Sequence, residues 1–128
     1  MANSNGAEEE EKYQEVPRIT NEEGREVDSE LVNHLRALKV TISYENAWLL
    51  ATARSVVETA GVDMDYNKAL SQGKLSKEVF DNLLSTVPEF TAKRIKMRTR
   101  QLLFGISTEE LANELSVDEI LSMLIGNQ

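Results

Sequence analysis

The residues whose types and spacing best suit ion binding are Asp63, Asp65 and Asn67, which alternate after a long predicted helix. An EF-hand calcium loop begins in this way, but it also needs a glycine at its sixth position and a bidentate glutamate at its twelfth. Lys68 and Lys74 occupy those positions, so a cation stands where the loop needs a hinge or a ligand. We therefore interpret Asp63 or Asp65 as the N-cap of the short helix that follows.

The other side chains that commonly carry chemistry are few and isolated. His34 is the only histidine and the chain contains no cysteine, which leaves no typical zinc site and no disulfide. No serine lies in a Gly-x-Ser-x-Gly turn, and the six glycines form neither a P-loop nor a dinucleotide-binding fingerprint. We predict a protein that is not an enzyme and that has no catalytic residues, metal ions or cofactors.

A basic segment is the most informative charge feature of the sequence. On a helix, Lys93, Lys96 and Arg100 fall on one face, while Arg94 and Arg98 fall on a neighbouring face. Such a helix could lie along phosphates through salt-dependent contacts, or it could be a solvated face that pairs with acidic segments of the same chain. The formal net charge of −8 argues against nucleic acid, so phosphate binding by these five residues is our alternative hypothesis.

The segment Thr108–Val117 resembles the first helix and the turn of a helix-turn-helix motif, with Leu111 and Leu115 at packing positions. In that motif the next helix enters the major groove and needs hydrogen-bond donors near its N-terminus. Here the next helix begins with Asp118 and Glu119 instead. The resemblance concerns packing and implies no contact with DNA.

The C-terminal helix is apolar around nearly its whole circumference. So short a terminal helix cannot easily bury every face in a domain of this size. An apolar face left over at a chain end commonly binds a partner or a second copy, although the helix could also close the core of the bundle. The residues that we predict to bind a partner are Ile120, Leu121, Met123, Leu124 and Ile125.

All these segments are predicted to lie on or between helices. Capping residues and apolar residues at helical spacing recur along the chain, and no strands that could form a sheet are indicated. The most strongly indicated helix runs from Tyr44 to Ala60, and we expect it to be central, with Trp48 in the core. We predict an all-α fold, a small orthogonal bundle of five or six helices. Its helices are expected at about 28–38, 44–60, 66–70, from Ser76, from Pro88 to 104, and from Ser107 and Ser116.

Charge divides the chain into two predicted regions. Residues 1–30 have a net charge of −7 and residues 31–128 a net charge of −1. We expect residues 1–27 to be a flexible, disordered acidic tail, because their few apolar groups cannot offset the entropy of ordering. The short apolar group Val16, Pro17 and Ile19 could alternatively dock as an extended strand. Residues 28–128 would form the helical domain.

Localisation and function follow from these features. The sequence has no apolar run long enough to span a membrane and no signal peptide, and the absence of cysteine fits a reducing cytoplasm. Our first hypothesis is an adaptor, regulator or self-assembling component that binds protein. The alternatives are a nucleic-acid-associated regulator, or an acidic inhibitor whose tail occupies a basic groove on its target. No small-molecule substrate is indicated.

Overall fold

The protein is all-α, as predicted. The computed structural model describes the backbone of residues 17–125 and the side chains of residues 17–121. Within that part of the chain there are seven helices and no β-strand, so the helices exceed the predicted five or six. None of these helices is both long and apolar enough to cross a membrane. The helices are α1 (Ser29–Ala37), α2 (Tyr44–Ala60), α3 (Tyr66–Ser71), α4 (Lys77–Thr86), α5 (Glu89–Phe104), α6 (Thr108–Glu114) and α7 (Val117–Ile125).

Local capping explains where most of the helices begin and end. The hydroxyls of Ser43, Ser76 and Ser107 each accept a hydrogen bond from the backbone N–H three residues later. Each of these bonds satisfies one of the helix's first unpaired N–H groups. Gly61 and Gly105 end α2 and α5 with φ of 67° and 66°, in the left-handed conformation that favours glycine.

Helix α2 is the centre of the bundle and packs most extensively against α5. Ala47, Ala51 and Ser55 recur every four residues on α2, and all three are buried. Small side chains at this spacing share one face and allow another helix to approach closely. The Ser55 hydroxyl donates to the Ile95 carbonyl of α5 at 2.6 Å, and the Thr99 hydroxyl donates to the same carbonyl at 2.8 Å.

Helix α4 adds the largest fully buried side chain of the described residues, Phe80. The ring of Trp48 meets the ring of Phe80 edge-on, with 5.9 Å between the ring centroids. Trp48 is only half-buried, so it lies at the margin of the core rather than inside it as predicted. Phe80 takes the buried position because α4 presents a single apolar face to the bundle.

The segment before α1 is packed on the helices. Val27 is buried, and its N–H donates to the Ile19 carbonyl at 2.7 Å, which closes a turn from residue 19 to residue 27. The Asp28 N–H then donates to the Leu103 carbonyl of α5 at 2.8 Å. These bonds join the start of the helical region to the end of α5.

Part of the segment predicted as a tail, residues 1–27, is packed on the fold. Residues 19–27 already belong to the packed part of the chain, because Ile19 and Val27 contribute apolar surface to the core. Of the apolar group Val16, Pro17 and Ile19, which could alternatively dock on the fold, Ile19 packs against the core. The predicted disorder of residues 1–16 lies outside the described residues.

Candidate interaction surface

Helix α5 presents a basic face with one methionine in it. Lys93, Lys96, Met97 and Arg100 follow the spacing i, i+3, i+4 and i+7, which places them along one side of the helix. An adjoining face of the helix is buried through Ile95, Thr99 and Leu103. The packing of α5 on α2 thus determines that this basic face points away from the core.

Two adjoining clefts run beside this face. The larger, of about 500 Å³, lies between α5 and the α6–α7 region, and the smaller, of about 210 Å³, continues along α5. Lys96, Met97 and Glu119 line both of them. Leu111 and Leu115 give the larger cleft an apolar wall. The residues that line these clefts combine charged and apolar side chains, and none of them is a serine, threonine or histidine.

A cluster of charged residues adjoins the larger cleft, which two of its members, Arg100 and Glu114, line. Arg25 binds two carboxylates, Glu110 through Nη2 and Glu114 through Nη1, each at 2.9 Å. The Arg100 Nε donates to the other carboxylate oxygen of Glu114, also at 2.9 Å. Both guanidinium groups lie beside the ring of Phe104, at 5.4 Å for Arg25 and 5.6 Å for Arg100. The cluster joins the N-terminal turn, α5 and α6.

The two arginines stabilise the charged form of Glu114. Their hydrogen bonds, that of Arg100 before that of Arg25, lower the pKa of the Glu114 carboxyl below its usual value. In return, the hydrogen bond that Arg25 donates to Glu114 raises the pKa of Arg25 further above its already high value. Glu114 is therefore ionised at neutral pH, and its negative charge is paired with the positive charges of Arg25 and Arg100.

The basic residues predicted from the sequence do not form one free surface. Lys93 lies 3.5 Å from Glu89, Arg98 lies 2.8 Å from Glu58, and Arg100 pairs with Glu114 as described. The guanidinium of Arg94 lies over the ring of Phe90, 5.8 Å from its centroid. Lys96 is exposed and forms no ion pair with a side chain among residues 17–121.

The beginning of α7 exposes apolar side chains beside these clefts. Val117 is 71% exposed and Leu121 is 46% exposed, whereas Ile120 is half-buried. Ser116 and Glu119 form a reciprocal capping box, in which each side chain accepts the backbone N–H of the other residue. The side chains of the other three predicted partner-binding residues lie outside those that the structure describes, namely Met123, Leu124 and Ile125.

The residues that resembled an ion-binding loop have structural partners. Asp65 Oδ1 accepts the Lys68 N–H at 3.1 Å and caps α3, which confirms the capping interpretation for this residue. Asn67 Oδ1 lies 2.8 Å from Nε2 of His34, so these side chains join α3 to α1. Across the described part of the chain, no three His, Cys, Asp or Glu side chains are grouped so that they could bind a metal ion.

Sequence reasoning missed Arg25 and the cluster around it, because this residue was assigned to the flexible tail. A local signal was present in Asn21 and Gly24, whose spacing is typical of a β-turn. In the structure Asn21 Oδ1 accepts the N–H groups of Glu23 and Arg25, and Gly24 has a φ of 82°. The turn points Arg25 towards α6.

Comparison with known proteins gives no family model, no curated relative and no solved structure that matches the chain.

Proposed function

We propose that this protein is a non-enzymatic protein-interaction module that binds another protein, or a second copy of itself, through the outer surface of α7. The observation that carries the proposal is the exposure of Val117 and Leu121, one helical turn apart on the same face. Two large apolar side chains on one face of a terminal helix cost free energy in water and release it when a partner covers them. We place this activity in the cytoplasm, which the cysteine-free composition fits.

The neighbouring clefts support the same proposal. Lys96, Met97 and Glu119 line the same cleft, so an apolar side chain and charges of both signs occur together there. Interfaces between proteins commonly have this composition, with an apolar centre and a polar rim. Methionine adapts its shape to different partners because its side chain is unbranched.

Nucleic-acid binding through α5 is the weaker proposal, because Arg98 and Arg100 are already paired with carboxylates. It predicts that duplex or single-stranded DNA or RNA binds at low salt and that Lys96→Glu reduces this binding. The acidic-inhibitor proposal rests mainly on residues 1–16, because Ile19 and Val27 pack against the core of the fold. It predicts that replacing Glu8–Glu11 by glutamine weakens capture of a basic target.

Site-specific photo-crosslinking tests the interaction proposal. A benzophenone amino acid replaces Leu121 in one variant and Val79 of α4 in the other, and both proteins are irradiated in a lysate of the source cells. These two positions are matched, since their side chains are 46% and 45% exposed. We expect discrete protein adducts from position 121 and none from position 79.

A third variant separates binding from random collision. Val117→Asp adds a charge at the most exposed large apolar side chain of the described residues, so it should abolish the adducts from position 121 and leave the fold intact. If position 121 gives no adducts, or the same adducts as position 79, α7 is not an interaction surface.

A further inference from the structure

Helix α6 is attached to the bundle with little apolar burial. Leu111 is its one buried side chain, and the helix packs principally against α5, far less extensively than α2 does. Its first turn is tied to α5 by a hydrogen bond from Gln101 Nε2 to Thr108 Oγ1 at 3.3 Å. A helix of seven residues is too short to be stable by itself, so its contacts must hold it in place. Ion pairs therefore supply much of its attachment.

The two ends of α6 are attached differently. Just before the helix, Ile106 is buried and its N–H donates to the Gln101 carbonyl at 3.1 Å, which fixes the chain to α5 at this point. At the other end, the carboxylate of Glu114 is bound by Arg25 and Arg100, each at 2.9 Å. Helix α6 is thus anchored by packing before its first turn and by charge at its last residue.

The N-terminal turn contributes one of these two arginines. Ile19 and Val27, at the two ends of the turn, pack against the core. Arg25 lies between them in the chain and binds Glu110 and Glu114, which are 85 and 89 residues away in the sequence. The side chain of Arg25 therefore links the N-terminal turn to α6.

We call Arg25, Arg100, Glu110 and Glu114 the ionic cluster, and its members share their bonds. Glu114 divides its two oxygens between the two arginines, and Arg25 divides its two terminal nitrogens between the two glutamates. Removing one member therefore affects the bonds of the others, and substitutions within the cluster should not be additive.

We propose that the ionic cluster is a latch, which holds α6 closed on the bundle and which the N-terminal turn controls through Arg25. When its pairs break, α6 swings out from Ile106 while α2 and α5 stay packed. Leu111 then leaves its buried position and, with Leu115, forms an accessible apolar surface. Elements with few buried apolar contacts open in this way at a lower free energy than global unfolding requires. The proposal concerns the position of α6 and is independent of what binds α7.

Hydrogen exchange measured by mass spectrometry tests the latch in the full-length chain. In the wild type, the amides of α6 should exchange about a hundredfold or more faster than those of α2, because α6 opens without global unfolding. Arg25→Gln and Glu114→Gln should each accelerate exchange in α6 about three- to tenfold. Arg25→Gln is the decisive variant, because it leaves the sequence of α6 unchanged. The double variant should accelerate exchange by less than the product of the two single factors.

Arg98→Gln is the matched control. The Arg98 Nε lies 2.8 Å from a carboxylate oxygen of Glu58, and the Arg98 side chain is 41% exposed, compared with 39% for Arg100. This pair joins α5 to α2 and remains formed when α6 opens. Its loss should therefore accelerate exchange in α2 slightly and leave exchange in α6 unchanged.

Three results would overturn the latch. Exchange in α6 as slow as in α2 would show that α6 opens only when the whole protein unfolds. Exchange in α6 that Arg25→Gln leaves unchanged, or that Arg98→Gln accelerates equally, would show that the ionic cluster does not hold the helix closed. Thermal unfolding checks that each variant is folded. Arg25→Lys replaces Arg25→Gln if that variant is not, and it should give a smaller acceleration, because lysine keeps the charge but lacks the planar fork that binds two carboxylates.

Discussion

Replacing Thr52 by valine should stabilise the protein, because its hydroxyl is buried without a hydrogen-bond partner. The residue is 2% exposed in α2, and its Oγ1 meets no donor or acceptor within the described part of the chain. A buried hydroxyl without a partner costs about 1–3 kcal/mol, and the added methyl group of valine contributes up to about 0.8 kcal/mol of apolar burial. Valine and threonine have similar shapes and helix propensities, so the backbone should not change.

We expect the free energy of unfolding to rise by about 1–2 kcal/mol, which raises the melting temperature by about 4–8 °C in a domain of this size. Urea unfolding followed by fluorescence measures the change, because Trp48 is the only tryptophan and its ring contacts Phe80 in the core. Far-ultraviolet circular dichroism should give the same transition if unfolding is two-state.

Two matched hydroxyls in the same helix pair provide the controls. Ser55 and Thr99 both donate to the Ile95 carbonyl, so Ser55→Ala and Thr99→Val should each lower the free energy of unfolding by about 0.5–1.5 kcal/mol. Removing a hydroxyl should thus raise the free energy of unfolding at Thr52, which has no hydrogen-bond partner, and lower it at Ser55 and Thr99, which have one. If Thr52→Val destabilises the protein as much as Thr99→Val does, the Thr52 hydroxyl has a partner and the reasoning is refuted.

Three further predictions concern charge and backbone conformation. Because its folded-state pKa is lowered, Glu114 contributes stability that is present above about pH 4.5 and is lost as the pH falls through the folded value; melting curves of wild type and Glu114→Gln should therefore converge in acid, and a constant gap would contradict the role of its ion pairs. Both Gly61 and Gly105 have a positive φ, but a Cβ at Gly105 would come within 3.3 Å of a neighbouring side chain, whereas one at Gly61 would meet nothing within 4 Å. Alanine should therefore cost about 1–2 kcal/mol at Gly61 and more at Gly105, and chemical denaturation showing equal losses would contradict the contact. Lys39 follows α1 with a φ of 59°, so Lys39→Gly should raise the melting temperature, and a lower value would show that the lysine side chain stabilises this turn.

The elements could be predicted from the sequence because their signals are local. The cap of α2 joins Ser43 to a backbone group three residues away, and Gly61 ends the same helix within the next turn. Such bonds require no knowledge of the rest of the chain. The basic face of α5 was likewise predicted, because helical spacing alone places Lys93, Lys96 and Arg100 together.

The sequence by itself therefore determined the all-α class, most of the helix limits and the separation of charge along the chain. Only the tertiary structure decided which charges are paired, because Arg25 and Glu114 are 89 residues apart and meet through the packing of the N-terminal turn on α5 and α6. It also decided that Val117 is exposed and Ile120 half-buried, since one helix of apolar residues can turn only one face to the bundle. The surface proposed for binding is the face of α7 that does not pack against the bundle.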